Sequence, residues 1–194
     1  MMDFLTSICQ ISGIKDVHLT TNGTVTAPLI SDLKKIGIKS VNLSIDSLDK
    51  ERFFDITRRD VLPTVMETFH SLLKHNIPTK INTVVMNGKN TEDIIPMVQL
   101  TKDYPVGVRF IEEMPFNGSG EDHGLSLWNH QKILEKMKTM YANLEKVRDP
   151  AFSTSANYKI PGHSGTIGII AAYSRSFCGT CNLIRSTRTG LLKT

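Results

Sequence analysis

Cys178 and Cys181 stand as C-x-x-C in Phe177-Cys178-Gly179-Thr180-Cys181-Asn182, and Arg185, Arg188 and Lys193 follow closely. Thiolates are soft ligands suited to zinc or iron-sulfur clusters, and guanidinium groups bind anions. The segment therefore reads as a metal or cluster site facing an anionic ligand. By itself the pair leaves a zinc site, an iron-sulfur cluster, a redox dithiol and an uninvolved pair all open. A redox dithiol fits least, because Gly179-Thr180 and the Arg-rich tail do not resemble the thioredoxin arrangement. The third cysteine, Cys9, falls on the apolar face of a helix expected over residues 2–12 and reads as a small core hydrophobe. The six histidines show no i,i+4 pairing of the zinc type.

Composition bounds the setting. With 194 residues, 40% apolar and 22% charged, the chain can bury an ordinary globular core. Three cysteines do not make a disulfide framework, and they point to a reducing compartment, with the cytoplasm expected. Asp3 and the polar Thr6, Ser7, Gln10 and Ser12 argue against an N-terminal targeting segment. No run approaches the roughly 18 apolar residues of a membrane span. The net charge of +4 comes without a dense basic run interleaved with aromatics, so nucleic acid is not the expected partner.

The elements that must position these groups alternate regularly. Asp16–Thr20, Ser40–Ile45, Thr79–Met86 and Val106–Ile111 read as strands. Between them lie helical spacings at Leu29, Ile30, Leu33 and Ile36, at Val61, Val65, Phe69, Leu72 and Leu73, and from Thr91 to Lys102. Pro63 is tolerable only in a first turn, and Pro96 is expected to shorten or kink its helix. Strand-helix alternation implies right-handed crossovers and a parallel sheet, open or partly closed into a barrel, with ligands at the carboxyl ends of the strands. The polar groups at that end are Thr20, Thr21 and Asn22, then Ser44 and Asp46, then Lys80 and Asn82, then Glu112, Glu113 and Met114. Singly each is ordinary turn chemistry; together they favour a site. After Met114 a Gly- and Ser-rich loop, a helix over Trp128–Tyr141 and a strand over Ile167–Ala172 lead to the C-x-x-C. The expected division is 1–126 for the partial barrel and 127–194 for a cysteine-bearing region.

Six stretches resemble the molybdenum cofactor biosynthesis protein A family, the radical SAM GTP 3',8-cyclases. They are Thr20–Gly23, Val41–Asp49, Ile56–Asp60, Lys80–Val85, Arg109–Pro115 and Phe177–Asn182, in the family's order across nearly the whole chain. The resemblance implies an α/β fold of the radical SAM partial (β/α) barrel type, with about four of six βα units present and a C-terminal cluster-binding extension. It implies a lyase with two 4Fe-4S clusters: one cleaves S-adenosylmethionine to a 5'-deoxyadenosyl radical, and the other binds GTP through an open iron. Carried over by position, Ser44 and Met114 would contact S-adenosylmethionine, Thr20 and Lys80 would contact GTP, Cys178 and Cys181 would ligate the C-terminal cluster, and Arg185 would contact the nucleotide.

Three departures accompany the resemblance. The C-x-x-x-C-x-x-C loop of the radical-generating cluster and the Gly-Gly-Glu-Pro segment are missing and are expected upstream of Met1, so the chain reads as an inactive fragment with Asp16–Thr20 as an edge strand. The third cysteine of the C-terminal cluster is expected just after Thr194. Leu183 stands where the family usually has Arg; a charge-assisted hydrogen bond of about 1.5–3 kcal/mol is lost, a ten- to hundredfold weakening of nucleotide binding on the order-of-magnitude scale. The expected partners are GTP and S-adenosylmethionine, with neither nucleic acid nor membrane, and a homodimer remains open. The alternative is a zinc-binding module in which His163 and Cys9, or a second chain, complete the coordination of Cys178 and Cys181 without radical chemistry.

Overall fold

A computed structural model of the chain describes residues 1–114, 128–150 and 153–174, with the backbone of 185–186 and 192–193. Four strands, β1 (His18–Thr21), β2 (Ser40–Ser44), β3 (Thr79–Val85) and β4 (Gly107–Glu112), lie parallel in chain order. Beyond them come the short β5 (Glu145–Lys146) and β6 (Ala156–Lys159), and then β7 (Thr166–Ile170). The last of these pairs parallel with β4, giving a seven-stranded sheet in the order β1-β2-β3-β4-β7-β6-β5, with β5 and β6 antiparallel. A separate antiparallel pair joins β8 (Arg185–Ser186) to β9 (Leu192–Lys193). The result is the expected α/β fold with a mostly parallel sheet, consistent with a partial (β/α) barrel, and β1 forms one of its edges.

The strand pattern explains why one face of the sheet is dry. Val41, Leu43, Ile45, Ile81, Thr83, Val85, Val108, Phe110, Ile167 and Ile169 are all buried, while the residues alternating with them are only partly buried except Gly168. The buried set meets Ile30 and Leu33 of α2 (Ile30–Lys35), Val65, Phe69 and Leu72 of α4 (Leu62–Lys74), Met97 and Val98 of α5 (Ile94–Asp103), and Ile133 and Met137 of α6 (His130–Met140). Period-2 alternation thus turns one face toward the helices and leaves on the other mostly polar groups, with Val84, Ile111 and Ile170 as an apolar row among them. Two more helices are α1 (Met2–Cys9), which places Cys9 half-buried against the core, and α3 (Lys50–Thr57). Among the described residues no helix is long and apolar enough to cross a membrane.

Pro63 sits in the first turn of α4, as its missing N–H requires. Pro96 also falls in a first turn, that of α5, so it neither shortens nor kinks the helix: the N–H it lacks would have had no intrahelical partner. Helix α3 was not expected, because only Phe53 of its eight residues is buried.

Gly165 joins α5 to the start of the β4–β7 pair. Its N–H donates to Thr101 O at 2.7 Å, and a Cβ there would collide with Val106 O and lie 2.9 Å from Tyr104 O. Backbone atoms cannot swing aside as a side-chain tip can. Gly165→Ala is expected to destabilise the fold by about 2–3 kcal/mol, read as a lower urea midpoint at unchanged slope.

Candidate functional site: two polar rows on the open face of the sheet

Register places the polar positions side by side. Thr20 pairs with Asn42, Asn42 with Lys80, Lys80 with Gly107 and Gly107 with Thr166, one row across five strands. The next row runs Ser44, Asn82, Arg109, Gly168 and Asn157. The glycines make room for the cations. An added Cβ would lie 3.4 Å from Lys80 Cγ at Gly107 and 3.3 Å from Arg109 Cγ at Gly168, so the stems lie where neighbouring side chains would otherwise stand.

Electrostatically the rows are incomplete. Burial, reinforced by the charge of Arg109, lowers the Lys80 pKa, and burial lowers that of Arg109. Among the described residues neither cation makes an ion pair with a carboxylate. Beside them the side-chain oxygens of Asn42 and Asn82 are buried without a hydrogen-bond partner; Asn42 Nδ2 reaches Thr20 Oγ1 at 3.3 Å. Buried acceptors and like charges each cost free energy when left alone. Two cations without anions and two acceptors without donors among the described residues fit a polyanionic ligand that also carries hydroxyl or amino groups.

The rims of β2 and β3 are fixed by side chains. Asn90 donates to Asp46 O (2.7 Å) and Val84 O (2.8 Å) and accepts from Met86 N–H (2.8 Å). Asp93, 1% exposed, accepts from Arg52 Nε (2.8 Å), Ser47 Oγ (2.9 Å) and Leu48 N–H (3.2 Å). Burial raises the Asp46 carboxyl above its usual range, partly offset by the Val84 N–H at 2.9 Å.

At the end of β4, Glu112 is 3% exposed. Its carboxylate accepts from His130 N–H (2.6 Å), Tyr173 N–H (3.0 Å), Ser174 N–H (2.8 Å) and Ser174 Oγ (2.7 Å). Burial alone would push this carboxyl up, but the four hydrogen bonds outweigh it and hold the pKa below the usual glutamate range. A depressed folded pKa contributes stability that is present above the unfolded value of about 4.3 and is lost as pH falls through the folded value. Asp46 has the opposite sign: raised in the fold, it opposes folding at neutral pH and ceases to do so on acidification. Glu112→Gln is therefore expected to flatten the acid limb of the stability curve, and Asp46→Asn to stabilise the chain at pH 7 more than at pH 4. Denaturant melts across that range check both.

Thr20, Lys80 and Ser44 thus come together on one face, whereas Met114 lies just past β4 and is half-exposed. Cys178 and Cys181 lie outside the described residues, as does the side chain of Arg185. Asn42 and Arg109 belong to the site although neither was singled out as a ligand. The available signal was polar residues at alternate positions of strands whose other positions are apolar. His163 Nδ1 lies 2.8 Å from Thr101 Oγ1, and its ring packs edge-on against Tyr141. Among the described residues no group of three or more His, Cys, Asp or Glu could hold a metal ion. Two surface clefts, of about 540 and 640 Å³, border α3 and the residues around it, and none of Thr20, Ser44, Lys80 or Met114 lines them. The candidate site lies on the rows, where the charges and acceptors without a partner among the described residues are found.

Residues 1–101 match the Radical SAM superfamily, and residues 106–194 match Molybdenum Cofactor Synthesis C. Molybdenum cofactor biosynthesis protein 1 of Homo sapiens is 36% identical over 200 residues, covering 100% of this chain and 30% of that protein. GTP 3',8-cyclase of Alkaliphilus oremlandii (strain OhILAs) is 35% identical over 196 residues, covering 100% of this chain and 59% of that protein. Mitochondrial GTP 3',8-cyclase of Arabidopsis thaliana is 32% identical over 193 residues, covering 96% and 48%. The chain spans between 30% and 59% of the length of these relatives.

Proposed function

The chain belongs to the radical SAM superfamily, with a Molybdenum Cofactor Synthesis C region following, and from that membership we propose that it is part of a GTP 3',8-cyclase. This lyase of molybdenum cofactor biosynthesis converts GTP to (8S)-3',8-cyclo-7,8-dihydroguanosine 5'-triphosphate. Of the observations, the pair of cations Lys80 and Arg109, without a carboxylate partner among the described residues and beside asparagine oxygens that likewise lack one, carries the reading.

Thr20, Lys80 and Arg109 bind the triphosphate and orient it along the rows, with Arg185 contributing a second guanidinium. Ser44 and Met114 hold S-adenosylmethionine at the carboxyl ends of β2 and β4. Cys178 and Cys181 ligate a 4Fe-4S cluster, with 1–126 as the partial barrel and 127–194 as the cysteine-bearing region, and an enzyme of this kind holds a second cluster. Reductive cleavage of S-adenosylmethionine is the chemistry a bound cluster supplies in this class. A chain with three cysteines, too few for a disulfide framework, suits a reducing compartment, which we take as the cytoplasm.

Anaerobic reconstitution with ferrous iron and sulfide tests the cluster assignment. Iron with acid-labile sulfide, lost in Cys178→Ser and Cys181→Ser, is the expected result; stoichiometric zinc without sulfide contradicts it and supports a zinc module. With three cysteines the chain cannot furnish the ligands of two clusters, so it is expected to form no cyclised product alone. Turnover by the purified chain overturns that expectation.

A further inference from the structure

Gly168 on β7 lies between Arg109 of β4 and Asn157 of β6 in one row of the sheet. Its backbone is not in the positive-φ region that favours glycine, so the need for glycine there is one of space. A Cβ on Gly168 would lie 3.3 Å from Arg109 Cγ on one side, and 3.3 Å from Ser155 Cβ and 3.4 Å from Asn157 Oδ1 on the other. At such distances a neighbour must give way, and the two sides differ in what they can give.

The β6 side is braced. Asn157 Oδ1 accepts from Ser155 Oγ at 3.0 Å, and Asn157 Nδ2 donates to Asp149 Oδ1 at 2.9 Å and to Ser155 O at 3.0 Å. The Asn157 N–H donates to the same Asp149 oxygen at 2.8 Å, while Lys146 Nζ holds the other oxygen at 2.7 Å. The carboxylate in this brace is thus taken up by Lys146 and Asn157 and makes no ion pair with Arg109. The Arg109 side chain, by contrast, makes no hydrogen bond or ion pair among the described residues. A methyl group added at Gly168 would therefore be relieved by movement of the Arg109 stem and not by β6. Gly107 stands in the same relation to Lys80, less tightly, with 3.4 Å from its Cβ position to Lys80 Cγ and 3.5 Å to Thr166 Oγ1.

We propose that Gly168 is a positioning residue of the anion site. By leaving its Cβ position to the Arg109 stem, with Ser155, Asn157 and Asp149 as a fixed wall behind, it sets where the guanidinium stands relative to Lys80; Gly107 does the same for the Lys80 stem. The inference rests on the reading of Lys80 and Arg109 as the cations that bind a triphosphate, and it adds β6 and Asp149 to that site as its wall.

The test is a double-substitution cycle on the full 194-residue chain, with inorganic triphosphate as the probe and calorimetric titration as the readout. Gly168→Ala is expected to bind it roughly five- to tenfold more weakly, because the charge is displaced and not lost. In the Arg109→Met background the same substitution is expected to change affinity by no more than about twofold, because the group through which it acts is gone. A glycine with a merely structural role would cost as much in either background. Parental affinity in Gly168→Ala overturns the inference, and so does an equal loss with and without Arg109. If Gly168→Ala does not fold, Gly107→Val carries the test with Lys80→Met completing the cycle, since the branched side chain reaches the Lys80 stem. Non-additive losses are again expected, and additive ones are contradictory. Failure of the unsubstituted chain to bind triphosphate defeats the reading of the rows as an anion site, and the inference with it. That outcome is distinguishable because it appears before any substitution.

Discussion

Replacing Lys80 and Arg109 together by methionine is expected to weaken binding of GTP by about two to four orders of magnitude while leaving the fold at least as stable. Each cation contributes a charge-assisted hydrogen bond of about 1.5–3 kcal/mol, so losing both costs about 3–6 kcal/mol if they act independently. Methionine keeps the apolar stem that lies beside Gly107 or Gly168 and removes only the charge. The stability change distinguishes a binding role from a structural one. Burial lowers both pKa values and no carboxylate among the described residues neutralises either group, so the charges oppose folding where they stand. Calorimetric titration with GTP beside a thermal melt reads both effects. Lost affinity with a sharply lower melting temperature contradicts the assignment, and so does retained affinity.

The second large effect is expected at Arg52. Asp93 is 1% exposed, and Arg52 Nε lies 2.8 Å from its carboxylate. Arg52→Met leaves that carboxylate with only the Ser47 hydroxyl and the Leu48 N–H. Stranding one partner of a buried pair costs about 3–5 kcal/mol, and since the Arg52 side chain is itself 32% exposed the expected loss is about 2–3 kcal/mol. The converse substitution, Asp93→Asn, removes the buried charge and is expected to cost less, because Arg52 can turn to solvent or to Glu92 at 3.6 Å. Urea melts of both variants check the order; equal losses contradict it. The network joins the β2–α3 loop to the turn before α5, so Arg52→Met is also expected to loosen the rim that follows Ser44.

Much of this was legible in the sequence because period-2 alternation leaves a strong trace. The parallel strands β1 to β4 fall where Val, Ile and Leu alternate with Thr, Asn, Ser and Lys, and the same alternation put Thr20, Ser44 and Lys80 on the face without helices. What could not be read was register. Asn42 and Arg109 are visible as polar residues in good strands, but membership of a common row depends on how each strand pairs with the next. Helix α3 escaped because its inward stripe is the single residue Phe53, although Asp49, whose side chain accepts from Arg52 N–H at 2.9 Å, is a recognisable N-cap. The two-residue β5 and its partner β6 carry too little alternation to register. Glu112 was noted as a polar group at a strand end, but its role lies in backbone N–H groups 18, 61 and 62 residues away, which no local pattern encodes.

The rows are the centre of the account, and an isotope-labelled titration of the chain with GTP, followed by amide and side-chain resonances, tests them most directly. Saturable shifts at Thr20, Asn42, Lys80, Asn82 and Arg109, including the side-chain amides of both asparagines, and their loss in the Lys80→Met, Arg109→Met double variant, are the predicted result. Shifts confined to α3 and the clefts beside it, or shifts on the rows that persist in the double variant, would contradict it.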